Sequence, residues 1–132
     1  MPEKFIIVLD QGSSSSRTLA LDMEGNIRYK SQRRLETVYP APGRAEHDAA
    51  ALYAGQAESL SEALERVPRD AEVAALGITS QRSTTVFWDK STGAPLCPAL
   101  SWQDGRALDL LGRGQLSNTK RHDLTGLEKT PY

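Results

Sequence analysis

The chain has 132 residues, of which 39% are hydrophobic and 25% charged, with a formal net charge of −1. These values are ordinary for a soluble globular protein, and the length suits one domain with its own core. A net charge near zero gives no excess of cations to displace counterions from DNA or RNA, so no nucleic-acid partner is expected. The longest apolar run, Phe5–Leu9, is too short to cross a bilayer, and the start lacks a secretory signal, so we expect a cytoplasmic protein without a membrane partner.

The first forty residues predict three strands and a loop. Phe5–Leu9 has no polar break, which is typical of a strand buried on both faces. Thr18–Asp22 and Ile27–Thr37 are separated by a short Gly-containing break and predict two further strands, so that the three run antiparallel. Tyr39–Gly43 contains two prolines and predicts a connecting loop.

A helix is predicted over Ala49–Arg66, with Asp48 as its N-cap. Its apolar or small positions recur at the spacing of one helical face: Ala49, Leu52, Tyr53, Ala57, Leu60, Ala63 and Leu64. Val73–Thr79 then predicts a second buried strand, which makes a strand, helix, strand crossover and an α/β fold.

The remaining elements are shorter. Thr84–Asp89 predicts a strand that enters a turn at Lys90–Pro95. A short helix is expected from about Asp104 to Leu111.

The segment Asp10–Arg17 directly follows the first predicted strand and combines residues suited to phosphate chemistry. Gly12 lets the backbone approach an anion and adopt a positive φ, while successive N–H groups and serine hydroxyls can donate to phosphate oxygens. Arg17 adds a fixed positive charge, and Asp10 could hold Mg²⁺ through water. The common P-loop and dinucleotide patterns are absent. The alternative is a serine-rich turn in which Asp10 caps backbone amides.

The pattern Asp-x-Gly-x-x-Ser-x-Arg after a first strand resembles the first phosphate motif of the actin, sugar kinase and Hsp70 superfamily. Four further segments occur in the order seen in the FGGY carbohydrate kinases, which include glycerol kinases: Pro42–Asp48, Gly77–Arg82, Trp102–Arg106, and Thr125–Leu127 with Pro131–Tyr132. The resemblance spans nearly the whole chain. It implies a ribonuclease H-like α/β fold with a mixed sheet and flanking helices, of which residues 1–132 form part of the first domain, without the second.

The resemblance also implies roles for individual residues. Asp10 organises metal and nucleotide, and the phosphates of ATP contact Gly12, Ser13, Ser14, Ser15 and Arg17. Arg82, Trp102 and Tyr132 face the substrate, together with Ser83, which stands where glycerol kinases carry a glutamate. Arg44 also stands where those enzymes usually carry tryptophan. A carboxylate accepts from two substrate hydroxyls with charge-assisted strength, and a serine cannot replace it, so the substrate is expected to be a polyol or sugar related to glycerol.

The expected function is therefore transfer of the ATP γ-phosphate to a hydroxyl of a polyol or sugar, with ATP and Mg²⁺ as cofactors. The resemblance puts the catalytic base and the adenosine-binding glycines beyond Tyr132, so this part alone is expected to be inactive; a homo-oligomer is possible. Four alternatives stay open. The chain could be a non-catalytic nucleotide- or anion-binding module or part of an actin-like ATPase or chaperone, Arg82 could be a surface ion pair, and Trp102 could be a core aromatic.

Overall fold

The computed structural model describes residues 2–108 and 118–126. Its strands and helices follow one another in this order: β1 (Lys4–Gln11), β2 (Ser15–Leu21), β3 (Ile27–Arg34), β4 (Glu46–His47), α1 (Ala49–Arg66), β5 (Glu72–Ser80), β6 (Ala99–Leu100) and α2 (Asn118–Thr125). The predicted loop between β3 and the helix is present, although β3 ends three residues before Thr37.

The main sheet has the strand order β3-β2-β1-β5. Strands β1, β2 and β3 pair antiparallel, whereas β5 lies parallel to β1 after the crossover through α1. The predicted crossover and the three antiparallel strands are therefore confirmed. Because β1 and β5 are parallel neighbours, their carboxyl ends lie at the same edge of the sheet.

The core lies between this sheet and α1. Phe5 and Ile7 of β1 are almost fully buried, and Ala20 of β2 and Val67 at the end of α1 complete the cluster. The rings of Phe5 and Tyr29 lie 5.8 Å apart at a tilt of 44°. Side chains on one face of β1 thus anchor the sheet to the helix.

Two predictions about burial were wrong. β1 was predicted to be buried on both faces, but its burial alternates, and Ile6 and Val8 are only half-buried. In β5, Leu76 is 52% exposed and Ile78 73% exposed, although a buried strand was predicted. Among the described residues, β5 pairs with β1 alone, and α1 packs mainly against β2 and β3.

Helix α1 begins and ends at the predicted residues, and Asp48 caps it by accepting from the backbone N–H groups of Ala50 and Ala51 at 2.8 and 3.1 Å. The predicted contact face is only partly correct, because Tyr53 is 79% exposed and Leu64 is also exposed.

The face that packs on the sheet includes small and polar residues. Ser59 is fully buried and donates to Thr18 Oγ1 at 2.9 Å, and Gln56 Nε2 donates to the same oxygen at 3.1 Å. Gly55 allows the close approach, since a Cβ there would lie 3.2 Å from Ser16 Oγ. The spacing of apolar residues cannot predict this contact face of α1, because polar side chains form hydrogen bonds there.

The segment Thr84–Asp89 is not a regular strand. Thr85 exchanges two backbone hydrogen bonds with Leu100, and Trp88 forms an isolated bridge with Pro95, but these bridges do not join into a continuous strand. The turn at Lys90–Pro95 is confirmed.

Two other features of the fold escaped prediction. Strands β4 and β6 form a small antiparallel sheet, and α2 lies in a polar stretch for which no helix was expected. Of the helix expected from Asp104, Leu108 is helical, and residues 109–111 lie outside the described residues.

Candidate functional site at the carboxyl edge of the sheet

The segment Asp10–Arg17, called the edge hairpin below, is a tight connection between β1 and β2 rather than an extended loop. Asp10 and Gln11 end β1, β2 begins at Ser15, and only residues 12–14 form the turn. The N–H of Gly12 donates to Ser15 O at 2.9 Å and closes that turn. The register places Asp10 directly opposite Arg17.

Gly12 is required by space and not by an unusual dihedral. The expectation of a positive φ at Gly12 was wrong. Among the described residues, the glycines with a positive φ are Gly25, Gly43, Gly93 and Gly126. A Cβ at Gly12 would lie 3.3 Å from Ser15 O, which is tighter than an ordinary contact. A side chain would therefore press on the hydrogen bond that closes the turn.

Asp10 and Arg17 form an ion pair across the two strands, with 2.5 Å between Arg17 Nη2 and Asp10 Oδ2. Both side chains are partly exposed, at 25% for Asp10 and 40% for Arg17. The Nε of Arg17 is buried and has no hydrogen-bond partner among the described residues. A guanidinium has five N–H donors, so donors remain that an anion could use.

The serines of the edge hairpin differ in accessibility. Ser14 is exposed and Ser13 half-buried, whereas Ser15 and Ser16 are buried in β2. Ser16 also donates its hydroxyl to Gln11 Oε1 at 2.9 Å, which removes it as a donor to a ligand. The hydroxyls that an anion could reach most directly are therefore those of Ser13 and Ser14.

Residues 82–85, called the edge loop below, follow β5 and begin at the same edge of the sheet. The parallel register pairs Gln11 with Ser80, so Arg82 and Ser83 come directly after the end of a strand that lies beside the edge hairpin. Arg82 is exposed, and among the described residues no carboxylate pairs with it. The ion-pair interpretation of Arg82 thus finds no support there.

Ser83 has φ of 64°, the only positive value at a described residue other than glycine. The left-handed region costs a residue with a Cβ about 1–2 kcal/mol. Such strain often accumulates where a side chain must face a ligand.

Trp102 approaches the edge loop through its backbone, whose N–H donates to Thr84 Oγ1 at 3.1 Å. The residue is 38% exposed, which does not fit the alternative of a core aromatic. Tyr132, the fourth predicted substrate residue, lies outside the described residues.

Two of the motif segments, Pro42–Asp48 and Trp102–Arg106, contact each other. Asp104 is 4% exposed and accepts from the backbone N–H of Ala45 at 2.8 Å and from Arg106 Nε at 2.7 Å. Arg106 also pairs with Glu46 at 2.5 Å. The hydrogen bond from Arg106 is the main reason that the pKa of Asp104 lies well below its ordinary value. The same contacts raise the pKa of Arg106.

The metal-binding capacity of this part of the chain rests on single carboxylates. Among the described residues, no group of three or more Asp, Glu, His or Cys side chains could hold a metal ion. Mg²⁺ commonly uses one or two carboxylates, with substrate phosphates and water completing the octahedron. Asp10, at the end of a strand and partly exposed, fits that pattern only in the presence of a phosphate ligand.

Sequence reasoning missed Gln81 and Thr84. Gln81 Nε2 donates to Gly12 O at 3.1 Å, and Thr84 Oγ1 donates to Gln81 Oε1 at 2.8 Å. Both side chains are half-buried, and together they connect the edge hairpin to the edge loop, to which Thr84 belongs. Their position directly after β5 was the available signal, since polar residues at the carboxyl ends of parallel strands often line sites.

Comparisons with known proteins agree with this arrangement. Residues 5–132 match the model of the FGGY family of carbohydrate kinases, N-terminal domain. Glycerol kinase from Shewanella piezotolerans is 43% identical over 100% of this chain and 27% of its own length, and glycerol kinase from Vibrio cholerae is 44% identical over 98% and 26%. A structure of Plasmodium falciparum glycerol kinase with ADP superposes with a TM-score of 0.88 at 26% identity, covering 99% of this chain and 27% of that one.

The sheet order, the crossover helix and this superposition define a domain with the actin and sugar kinase fold, as expected. Within that class, the chain belongs to the FGGY family of carbohydrate kinases and matches its N-terminal domain. The chain spans about a quarter of the length of the curated relatives it matches, 27% of the first. In the described part of the chain, no helix is both long and apolar enough to span a membrane.

Proposed function

We propose that this chain is part of the first domain of an ATP-dependent kinase that phosphorylates a hydroxyl group of a polyol or sugar. The observation that carries the proposal is the meeting of the edge hairpin and the edge loop at the carboxyl edge of β1 and β5. One carries residues suited to phosphates, and the other carries residues suited to hydroxyl groups. The identity of 41–44% to glycerol kinases supports the same reaction class.

The edge hairpin would bind the ATP phosphates. Its accessible hydroxyls at Ser13 and Ser14, its backbone N–H groups at residues 13–15 and the guanidinium of Arg17 are donors of the kind that phosphate oxygens accept. Asp10 keeps Arg17 in place through their ion pair. Positive charge so held stabilises negative charge that develops on the transferred phosphoryl group.

Mg²⁺ would be held by Asp10 together with the phosphates and water, and when bound it would neutralise phosphate charge. The one carboxylate in the edge hairpin fits an ion shared with a nucleotide. It does not fit a metal held by protein ligands alone.

The acceptor hydroxyl would lie against Arg82, Ser83 and Trp102, with Tyr132 as a fourth contact. Ser83 presents a neutral hydroxyl where a glutamate would present two charged acceptor oxygens. We therefore propose a polyol or sugar whose hydroxyls need fewer acceptors at this position than glycerol does in the family.

In the reaction, the acceptor oxygen forms a bond to the γ-phosphorus as the bond between that phosphorus and the β,γ-bridging oxygen breaks, and ADP leaves. The hydroxyl proton goes to a base that we place, with the adenosine-binding residues, outside residues 1–132. The domain would be inactive alone, and the complete protein would work in the cytoplasm.

The test is a kinase assay on the full-length protein with a panel of polyols, pentoses and hexoses. ADP release that depends on both ATP and one acceptor class is the expected result. Nucleotide binding without transfer to any acceptor would instead favour a non-catalytic binding module.

A further inference from the structure

We infer that Gln81 is a positioning residue that, with Thr84, sets the spacing between the edge hairpin and the edge loop. The inference rests on the proposed function, because it concerns how a phosphate donor and its acceptor would be aligned. Neither residue has a predicted contact with nucleotide or substrate. Their importance follows from what they connect.

A continuous chain of hydrogen bonds joins the two parts of the site. It runs from the Trp102 N–H to Thr84 Oγ1 at 3.1 Å, from that hydroxyl to Gln81 Oε1 at 2.8 Å, and from Gln81 Nε2 to Gly12 O at 3.1 Å. Both side chains are half-buried, so water competes less for these bonds than on an open surface. The turn of the hairpin is thereby tied to the backbone that carries Trp102.

The chemistry of the two ends fixes the direction of every bond. Gly12 O can only accept and the Trp102 N–H can only donate, so the Thr84 hydroxyl must donate to Gln81 and the Gln81 amide has one allowed orientation. Only a side chain with both a donor and an acceptor, at the length of glutamine, satisfies both neighbours. An ionised glutamate could accept from Thr84 but would face Gly12 O without a proton.

Loss of this connection should move the site without unfolding the hairpin. Gly12 O also accepts from Gln11 Nε2 at 3.1 Å, and the Gly12 N–H keeps its bond to Ser15 O. The turn therefore retains its own hydrogen bonds when Gln81 is replaced. What is lost is the link to the edge loop.

The kinetic signature should be a fall in kcat with little change in the KM for ATP. Displacement of reacting groups by about 1 Å can slow a reaction about 100-fold, whereas the groups that bind ATP stay intact. In the full-length protein, Gln81→Glu and Thr84→Val should each lower kcat at least about tenfold and leave the KM for ATP within about twofold.

Thr84→Ser restores the hydroxyl and should recover kcat to within about threefold of the wild type. A matched control is Thr92→Val, which removes a hydroxyl that accepts a backbone N–H from Ala94 in a remote turn. That variant should keep wild-type kinetics. Unchanged kcat in Gln81→Glu and Thr84→Val, or a Thr84→Ser variant as slow as Thr84→Val, would overturn the inference.

Amide hydrogen exchange separates this inference from the proposed function, because it needs no turnover. Thr84→Val should accelerate exchange in residues 11–16 at least about threefold, although the hydrogen bonds of Thr84 Oγ1 are to Gln81 and Trp102, and Thr92→Val should not. Unchanged exchange in residues 11–16 would refute the connection even in an active kinase. Accelerated exchange in a protein that phosphorylates nothing would retain the connection and reject the proposed function.

Discussion

Asp10 and Arg17 form an ion pair within the hairpin, and the same arginine is suited to binding an anion. Directly opposite residues on antiparallel strands have neighbouring Cβ atoms, so the register brings the carboxylate and guanidinium together without a long loop. Among the residues that the structure describes, the Nε of Arg17 has no hydrogen-bond partner beside this pair. A residue that looks like a surface ion pair can therefore also be an oriented cation for an anionic ligand.

Ser83 carries the residue-scale prediction about specificity. Its φ of 64° imposes a similar backbone cost on serine and glutamate, so Ser83→Glu changes the side chain with little change in that cost. If this position faces the acceptor, a carboxylate should raise kcat/KM for glycerol about tenfold through a charged hydrogen bond. The measurement is kcat/KM for glycerol in the full-length protein.

The control for that change is Ser61→Glu, which adds the same charge at an exposed position of α1. It should leave kcat/KM for glycerol unchanged. Equal values for Ser83→Glu and the wild type across a polyol panel would mean that Ser83 does not contact the acceptor.

At the scale of elements, the motif residues Asp104 and Arg106 hold their own segment against residues 43–46. Gly105 donates its N–H to Gly43 O at 2.8 Å, next to the bond from Ala45 to Asp104. β4 and β6 pair beside these contacts. A motif that resembles a kinase signature thus includes residues whose work here is structural.

Asp104→Asn should lower the free energy of unfolding of the full-length protein by about 2 kcal/mol at pH 7, because hydrogen bonds to a charged, buried group are lost. The pKa of Asp104 is lower in the folded state than its ordinary value of 3.8. Its contribution is therefore fully present above about pH 4 and lost as the pH falls through the lower, folded-state pKa. Urea unfolding at pH 7 and at progressively lower pH should show the gap between wild type and variant shrinking in acid.

Asp70→Asn provides the comparison, since Asp70 is exposed in the turn after α1. Its effect should stay within about 0.5 kcal/mol at both pH values. A gap between wild type and Asp104→Asn that stayed constant into acid would argue against an ionised, hydrogen-bonded Asp104.

The elements that sequence reasoning predicted well are those with local signals. The bounds of α1 follow from the Asp48 cap and the proline after Val67, and the first strands follow from short Gly-containing turns. The two-residue strands β4 and β6 could not be predicted, because their partners are more than fifty residues apart and neither has a pattern of its own. The face of α1 was misplaced because its contacts with Thr18 are polar.

At the scale of the whole molecule, the parallel pairing of β1 and β5 makes the site. It brings residues near position 12 beside residues near position 82, which are far apart in sequence. The alternation of strand and helix predicts this pairing, and motif resemblance predicts the residues at the edge. The connection through Gln81 depends on side-chain distances that no spacing rule contains.

The curated relatives are longer than the region matched here, which is 27% of the first. We propose that a second domain of the complete protein closes the site. The described domain would supply the donors for phosphate and part of the acceptor contact. In phosphoryl transfer, alignment of the reacting groups and stabilisation of charge supply most of the catalysis.

The central claim is that the edge hairpin binds the phosphates of ATP through Arg17, and the most direct test is kcat for phosphoryl transfer in full-length Arg17→Ala. Removal of one charge-stabilising donor should lower kcat about 100-fold or more. Arg69→Ala, at an exposed arginine in the turn after α1, should leave kcat unchanged. A kcat in Arg17→Ala equal to that of the wild type would contradict the assignment of the edge hairpin to phosphate.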